Sequence, residues 1–237
     1  MAVGRPFGCI IASILAIVAG VILLIGALVT AKDINYLRAH WTQIYGLAIY
    51  CTVISILVMI GAVGLLYVVS RQFPALTTLF SGFLIFVAFL AIICVTILIT
   101  ARNDLQRKTY DKTQRLFGNY SNENLPKTVK EIVDRIQRSY QCCGIEQASD
   151  WTNEFTDHTS VPDSCCQQVV PGCGRNALTT ASTNIYLHGC ASILFDDLRK
   201  KYSALIAMNI ILAIFALISA IFGIIYERNI RQQYQSM

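Results

Sequence analysis

The sequence predicts an all-α integral membrane protein with four transmembrane helices and a helical, disulfide-linked large extracellular loop. Asp, Glu, Lys and Arg are absent from four windows of 25 to 32 residues. Each window is longer than the roughly 20 apolar residues with which a helix crosses a bilayer. Most of the charged residues, and six of the nine cysteines, fall in one hydrophilic segment, 102–201. The uncharged windows are 6–31, 39–70, 72–101 and 202–226.

We expect four membrane crossings, at 7–31, 44–69, 74–101 and 202–226. The cytosolic parts are then the N-terminus at 1–6, a turn at 70–73 and a tail at 227–237. The extracellular parts are a small loop at 32–43 and the large loop at 102–201. A cleaved signal peptide is the alternative for the first crossing, since Arg5 precedes it and Val29-Thr30-Ala31 resembles a cleavage site. Its apolar stretch of about 23 residues exceeds the roughly 7 to 15 of a signal core, which favours a retained helix.

The orientation follows from charge, cysteine content and a glycosylation sequence. Lys and Arg number four in the termini and the turn at Arg71, against two in the small loop, so positive-inside counting favours cytosolic termini. Six cysteines in one segment indicate a disulfide framework and an extracellular or lumenal compartment. The sequence Asn119-Tyr120-Ser121, in the same segment, predicts glycosylation of Asn119. We therefore expect the large loop outside the cell.

Net charge and motif content exclude several classes of function. The formal net charge of +5 is spread evenly along the chain, so no basic patch indicates a nucleic acid partner. His40, His158 and His188 stand in no nucleophile–base motif, and the sequence has no C-x-x-C pair. Zinc is the alternative for the cysteine cluster, but adjacent cysteines are poorly placed to ligate one ion together. We therefore expect no enzyme activity, cofactor, metal or small-molecule substrate.

Small residues recur every seven positions in the first two crossings. In lipid no hydrophobic force draws helices together, so small side chains on one stripe favour association by letting the backbones approach. A seven-residue period predicts left-handed crossing of these two helices. The alternative is that Ala and Gly are common in all membrane helices. The two stripes are Ala12, Ala19 and Gly26, and Ala48, Ser55 and Ala62.

The large loop begins and ends with helical patterns. The third crossing continues as a charged helical pattern that ends near Gly118, which predicts a stalk. A second amphipathic pattern, from Val129 to Tyr140, leads into the first loop cysteines, and a third begins at Cys190 and leads into the fourth crossing. The segment 145–189 is rich in Ser, Thr, Asn, Gly and Pro, so it buries little apolar surface and requires cross-links to hold one shape.

The loop motifs resemble those of the tetraspanin family, in its six-cysteine type. They are combined with four membrane helices and a small first and a large second outer loop, so the likeness covers essentially the whole chain. Claudin-like proteins are the rival class, but their large loop is the first. The motifs are Cys142-Cys143-Gly144, Asp150-Trp151, Pro162-Asp163-Ser164-Cys165-Cys166, Gly172-Cys173 and Gly189-Cys190.

The resemblance implies a disulfide pairing and a function. Six cysteines allow 15 pairings, among which spacing alone does not choose. Resemblance implies that Cys142 pairs with Cys190, Cys143 with Cys165, and Cys166 with Cys173. It also implies a lateral organiser that binds membrane proteins, other tetraspanins or a second copy of itself, and gathers them into microdomains of the lipid bilayer. By likeness, the segment 145–189 selects the partner.

The membrane helices depart from the family pattern in their polar residues. Many tetraspanins carry an Asn in the first helix and acidic or Gln residues in the third and fourth, and this chain has none of these at depth. Asn209 is the strongly polar residue of the fourth helix, and it is either a partner in an interhelical hydrogen bond or a residue of the wet interface. A channel or solute carrier is the alternative function, although it is expected to place ionisable groups within the membrane.

Two short features bear on membrane attachment and sorting. With cytosolic termini, Cys51 and Cys94 lie in the outer halves of their helices, whereas Cys9 lies at the cytosolic edge. We expect palmitoylation of Cys9, as in the family, with a buried thiol as the alternative. Tyr234-Gln235-Ser236-Met237 fits a tyrosine-based sorting signal. These features predict residence in the plasma membrane and in the late endosome or lysosome.

Overall fold

The computed structural model describes residues 7–33, 42–118, 120, 127–179 and 184–235. The chain divides into two compact units. We call Met1–Thr100 with Lys201–Met237 the membrane unit, and Ala101–Lys200 the loop unit. The described residues form six α-helices and no extended strand. The helices are α1 (Phe7–Asp33), α2 (Thr42–Arg71), α3 (Pro74–Asn103), α4 (Leu105–Phe117), α5 (Lys127–Tyr140) and α6 (Cys190–Gln235).

Four of the described helices are long and apolar enough to cross a membrane, as the sequence predicts. Their outward surfaces carry large apolar side chains, such as Ile25, Ile60 and Phe89, which are all more than half exposed. Their inward surfaces carry many small side chains, such as Ala16 and Ala88, which are fully buried. This arrangement suits lipid, because large side chains face the bilayer and small ones let helices approach. The four spans are Phe7–Lys32, Tyr45–Arg71, Pro74–Asn103 and Cys190–Gln233.

The helix bounds differ from the sequence predictions at two places. The third crossing does not continue as one unbroken stalk, because Asp104 separates the end of α3 from the start of α4. By contrast, α6 is a single helix of 46 residues, which includes the predicted stalk from Cys190 and most of the predicted tail. Favourable helix propensity in the tail explains the extension, since 227–235 contains neither Gly nor Pro.

The turn between α2 and α3 is short and left-handed. Gln72 has a φ of 58°, and the N–H of Phe73 donates to the carbonyl oxygen of Val68 at 3.2 Å. This six-residue hydrogen bond is the Schellman motif, which satisfies a carbonyl at the end of a helix. Pro74 then begins α3, because a proline in the first turn forfeits no hydrogen bond. The turn makes α2 and α3 an antiparallel hairpin, as predicted.

The hairpin has a constant register. Opposed residues of α2 and α3 have numbers that add up to about 145, twice the position of the turn. A Cβ atom on Gly61 would lie 2.8 Å from the Cδ2 atom of Leu84, and one on Gly64 would lie 2.1 Å from the ring of Phe80. The same register places the Sγ atoms of Cys51 and Cys94 3.6 Å apart.

The helices α1 and α2 pack along a stripe that is close to the predicted one. Ala48, Ser55 and Ala62 are all buried. On α1, however, the tightest approach is at Gly20, where a Cβ atom would lie 2.7 Å from the Cγ atom of Met59. The backbone of α2 also lies close there, since the carbonyl oxygen of Ser55 is 3.5 Å from the same point.

The predicted α1 stripe is correct at two of its three positions. Ala12 and Ala19 are buried, whereas Gly26 is exposed, and no atom of a neighbouring described residue would lie within 4 Å of a Cβ there. The helix has 3.6 residues per turn, so residues seven apart drift by about 20° around it. By the third repeat the buried position is Ala27. The expectation that Gly26 packs against another helix is therefore wrong.

The other helix contacts of the membrane unit also involve small residues. A Cβ atom on Gly8 would lie 3.2 Å from the ring of Phe222, and one on Gly223 would lie 2.3 Å from the Oγ atom of Ser81. Tyr226 donates its hydroxyl hydrogen to the carbonyl oxygen of Val69 at 3.3 Å. The helix α6 therefore contacts α1, α2 and α3.

We predict that Gly64→Ala destabilises the membrane unit and that Gly82→Ala does not. Both substitutions add one methyl group to a helix and improve helix propensity equally. The new methyl of Gly64→Ala would collide with the Phe80 ring, whereas nothing lies within 4 Å of a Cβ at Gly82. Overpacking of this kind costs about 1–3 kcal/mol. Thermal unfolding of the two variants in mild detergent measures the difference, and equal midpoints would contradict the described α2–α3 contact.

Candidate protein-interaction site

The segment 145–189 is closed at both ends by cysteines that the structure pairs. Cys142 is bonded to Cys190, Cys143 to Cys165, and Cys166 to Cys173. These are the three pairs that the tetraspanin resemblance implies. The first bond joins Cys142, the second residue after α5, to the first residue of α6, and Tyr140 adds a hydrogen bond from its hydroxyl to the Oδ2 atom of Asp197 at 2.9 Å. The two ends of the segment are therefore held together covalently and by side chains.

The backbones of the two ends meet at Gly144 and Gly189. The N–H of Cys190 donates to the carbonyl oxygen of Gly144, at 3.0 Å, and the N–H of Cys143 to that of His188, at 2.9 Å. Gly144 has a φ of +73°, and a Cβ atom there would lie 1.9 Å from the carbonyl oxygen of Gln147. A Cβ atom on Gly189 would lie 2.3 Å from the backbone of Glu146. Close approach therefore explains why the two motifs contain glycine.

Asp150 fixes the turn that follows Gly144. Its Oδ2 atom accepts hydrogen bonds from the N–H groups of Ile145, Glu146 and Gln147, at 2.9, 2.7 and 3.1 Å. Hydrogen bonds to a charged acceptor contribute more than neutral ones, about 1.5–3 kcal/mol each. Asp150 thus positions the start of the segment.

Trp151 anchors the same turn in an aromatic cluster. Its ring lies 5.5 Å from that of Phe117, 5.0 Å from that of Tyr120 and 6.1 Å from that of Phe155, measured between centroids. Trp151 is almost fully buried, and a ring of this size is among the largest apolar contributions that one residue makes. In the motif Asp150-Trp151, a carboxylate that binds three backbone N–H groups therefore stands next to a buried aromatic side chain.

Ser164 connects the second cysteine motif to α5. Its hydroxyl lies 2.8 Å from the Oδ1 atom of Asp134 and 2.7 Å from the Oε1 atom of Gln137. Tyr120 donates to the same Asp134 oxygen at 3.0 Å. Burial, together with the negative charge of Asp134, raises the pKa of the Tyr120 phenol well above its ordinary value. Tyr120 therefore remains a neutral donor throughout the physiological range of pH.

Asp163 holds the loop that Cys166 and Cys173 close. Its Oδ2 atom accepts the N–H of Gly172 at 2.8 Å, and its Oδ1 atom accepts that of Gly174 at 2.9 Å. Gly172 has a φ of +83°, and a Cβ atom on Gly174 would lie 2.0 Å from the carbonyl oxygen of Val161. The Pro162-Asp163-Ser164-Cys165-Cys166 motif contains Asp163 but does not by itself predict this role. Asp163 lies nine and eleven positions before the two glycines, and no local sequence pattern connects them.

The loop between Cys166 and Cys173 presents apolar side chains to water. Val169 and Val170 are 50% and 55% exposed, and Pro171 is exposed beside them. We call these three residues the apolar tip. The disulfide and the two Asp163 hydrogen bonds hold the tip at its base and restrict its shape. A rigid, exposed apolar surface is typical of a protein-binding site.

The comparisons with known proteins agree with this geometry. A family model described as Tetraspanin family matches residues 7–229. The chain belongs to the tetraspanin family. Among curated proteins, this tetraspanin is similar to the CD63 antigen of Homo sapiens, with 32% identity over 133 residues that cover 54% of this chain and 55% of that protein. It is also 27% identical to the CD63 antigen of Mus musculus over 159 residues, 65% of this chain and 64% of that protein.

A third relative is Tetraspanin-12 of Homo sapiens, with 31% identity over 102 residues that cover 40% of this chain and 33% of that protein. The chain spans about half the length of the curated relatives it matches. The match establishes the family, and the cysteine motifs of this tetraspanin occupy the part of the loop unit described above.

The structure places the remaining predicted residues as follows. Pro162 is buried directly before the 3₁₀ helix Asp163–Cys165. Cys9 is buried in the membrane unit, 2% exposed, which favours the alternative of a buried thiol. Tyr234 lies in the last turn of α6, and Asn119 and Met237 lie outside the described residues. Within the described ranges, no three His, Cys, Asp or Glu residues are grouped as metal ligands.

We predict that mild reductant opens the Cys166–Cys173 bond first. Cys173 is the one loop cysteine of the described residues that is not buried, and thiol–disulfide exchange requires access to a sulfur. Brief treatment with dithiothreitol, alkylation and peptide mapping should label Cys166 and Cys173 at least about tenfold faster than the other four. The far-UV circular dichroism of the helices should persist meanwhile. Earlier labelling of Cys142 and Cys190 would contradict the described burial.

Proposed function

We propose that this tetraspanin is a non-enzymatic membrane scaffold that binds partner membrane proteins laterally and gathers them into microdomains. Its partners on this proposal are other membrane proteins, other tetraspanins or a second copy of the chain. The observation that carries the proposal is the apolar tip at Val169, Val170 and Pro171, which is exposed and rigidly held. The segment 145–189 is then the surface that selects the partner, and the membrane helices add lateral contacts.

The energetics of the tip favour recognition. Burying apolar surface contributes roughly 25 cal/mol per Å², so two exposed valines and a proline offer a modest but useful gain to a partner. The entropy cost of binding is low, because the disulfide and Asp163 already fix the loop. A flexible loop of the same composition would lose more freedom on binding and would bind more weakly.

The orientation proposed for the scaffold places both termini in the cytosol and the loop unit outside. The disulfides support it, since stable disulfides belong to oxidising compartments. Glycosylation of Asn119 is part of the same proposal. Treatment with an endoglycosidase should shift the gel mobility of the wild type but not that of Asn119→Gln, which would support both the orientation and the glycosylation of Asn119. A wild type that carries no glycan would contradict the glycosylation and would leave the orientation without this support.

Residence in the plasma membrane and the late endosome or lysosome is proposed on the Tyr234 to Met237 sequence. Tyr234→Ala should raise the surface level and lower the endosomal level, and unchanged levels would contradict the sorting proposal.

Palmitoylation of Cys9 requires the thiol to leave the buried position that it occupies in α1. Acyl exchange on Cys9→Ser distinguishes the two alternatives, because only loss of label from this variant supports acylation.

The scaffold proposal predicts that polar substitution of the tip removes partners. The double variant Val169→Ser/Val170→Ser is compared with Gln167→Ala/Gln168→Ala, which alters exposed polar residues of the same loop. Co-purification in mild detergent, with identification by mass, should show at least one membrane protein reduced about tenfold in the valine variant alone; tenfold corresponds to about 1.4 kcal/mol.

An unchanged partner set in the valine variant would contradict the role of the tip. Conductance or solute flux by the wild type reconstituted alone would contradict the scaffold function and favour the channel or carrier alternative. Peptide mapping of the three disulfides in both double variants serves as the folding control.

A further inference from the structure

Two free thiols face each other inside the membrane unit. The α2–α3 register opposes Cys51 and Cys94, and their Sγ atoms lie 3.6 Å apart. Both residues are fully buried. A disulfide requires about 2.05 Å between the sulfurs, so the two atoms must approach by about 1.5 Å to form a bond. The two residues lie equally far from the turn that joins their helices, which is how the sequence alone could have indicated the pair.

A polar group from a third helix touches the pair. Asn209 on α6 donates from Nδ2 to the Sγ atom of Cys51 at 3.4 Å and to the carbonyl oxygen of Leu205 at 2.8 Å. Its Oδ1 atom is buried and has no hydrogen-bond partner among the described residues. Of the two alternatives for Asn209, the structure favours the buried interhelical hydrogen bond over the wet interface. A buried amide with an unpaired oxygen costs free energy, so the position suggests a role beyond packing.

The amide distinguishes the two sulfurs. Asn209 donates to Cys51, and a hydrogen bond that is donated to sulfur stabilises negative charge there. Cys51 is therefore the thiol better able to act as a nucleophile, since the nucleophilic form of cysteine is the thiolate. Cys94 lies within reach as the second thiol. An attacking cysteine beside a resolving one is the arrangement that converts a sulfenic acid into a disulfide.

The surroundings determine which oxidant can reach the pair. The thiols lie within helices that are apolar enough to span a bilayer, so water-soluble oxidants and reductants are kept away. A hydroperoxide dissolved in the lipid shares the apolar surroundings of these helices, and it reaches the two buried sulfurs when the helices open transiently. From the contact, the donor and the apolar setting, we propose that Cys51 and Cys94 form an oxidative cross-link between α2 and α3, made at the expense of a lipid-soluble hydroperoxide.

The chemistry balances without a metal or a second cofactor. The Cys51 sulfur attacks the terminal oxygen of the hydroperoxide, the O–O bond breaks, and the Cys51 thiol proton passes to the departing alkoxide to give an alcohol. Cys51 is then a sulfenic acid. The Cys94 sulfur attacks the Cys51 sulfur, its thiol proton joins the departing hydroxide to give water, and the S–S bond forms. Two thiols are oxidised by two electrons, and one hydroperoxide is reduced to one alcohol and one water.

The cross-link would fix the hairpin at the end opposite to its turn. The turn at Gln72 already joins the helices at one end, and the new bond would lie 21 residues from it on α2. The two helices could then no longer separate there, whereas with both thiols free they are held by packing and by the hydrogen bond from the Tyr50 hydroxyl to the carbonyl oxygen of Leu90 at 3.5 Å. The scaffold would thus become more rigid in a bilayer that contains lipid peroxides.

Peptide mapping of the full-length protein tests the proposal. Trypsin cleaves after Arg38, Arg71 and Arg102, which places Cys51 and Cys94 on separate peptides, 39–71 and 72–102. Protein in lipid nanodiscs is treated with cumene hydroperoxide, denatured in an alkylating agent and digested. We expect the two peptides to be joined, two hydrogens lighter than their sum, while the buried Cys9 remains alkylated. Full alkylation of both thiols, or equal oxidation of Cys9, would overturn the proposal.

Three variants assign the roles. Dimedone, which traps sulfenic acids, should label Cys51 in Cys94→Ser, and should label Cys94 in Cys51→Ser several-fold less. Asn209→Leu should slow cross-linking by about fivefold, the change expected from the loss of one hydrogen bond. Equal labelling of the two cysteines, or an unchanged rate in Asn209→Leu, would overturn the assignment of Cys51 as the attacking thiol. Thermal unfolding in the same nanodiscs confirms that each variant is folded.

Discussion

The loop unit depends on the contact between the backbone at Gly144 and the backbone at Gly189. The two glycines stand next to Cys143 and Cys190, so the contact and the disulfides occupy one place. The two backbone segments are joined by hydrogen bonds to each other, and three further N–H groups donate to Asp150. The segment 145–189 therefore begins and ends at positions that are held together. This constraint allows a segment with little apolar surface to keep a defined shape. The apolar tip is one of the exposed parts of this segment.

The membrane unit solves a related problem by similar means. Water supplies no force between helices in lipid, so stability comes from close packing. The ring of Phe80 packs against Gly64, the side chain of Met59 against Gly20, and the side chain of Ser81 against Gly223. In both units, therefore, glycine allows neighbouring groups to approach where a methyl group would prevent it. The polar chemistry within the bundle is sparse, and the contact of Asn209 with Cys51 is its clearest instance.

The sequence predicts the fold well because the strongest signals are long and local. Uncharged windows fix the four helices, and the motifs at Cys142, Pro162 and Gly189 lead to the family. Helix pairing is harder to predict, since a stripe of small residues drifts around a helix. The prediction that Gly26 packs against another helix is wrong for this reason, and the closest approach to α2 on α1 is at Gly20.

Side-chain contacts between distant residues are the least predictable part. The hydrogen bonds of Asp163 to Gly172 and Gly174 join residues nine and eleven positions apart, and no periodic pattern connects them. The Cys51–Cys94 contact requires the register of the hairpin. Asn209 reaches Cys51 across 158 positions of sequence, which only the packed bundle reveals.

Close backbone contact at Gly189 holds the loop unit, and a single substitution at this residue tests the contact. Gly189→Ala places a methyl group about 2.3 Å from the Glu146 backbone, whereas the new methyl of Gly172→Ala would lie 3.9 Å from the Arg175 side chain, an ordinary contact, and would strain only the φ of that residue. Proteolysis of both full-length variants, with mapping of their disulfides, compares the two. We expect Gly189→Ala to lose the native Cys142–Cys190 pairing and the protease resistance of 145–189, while Gly172→Ala keeps both. Native pairing and unchanged resistance in Gly189→Ala would contradict it.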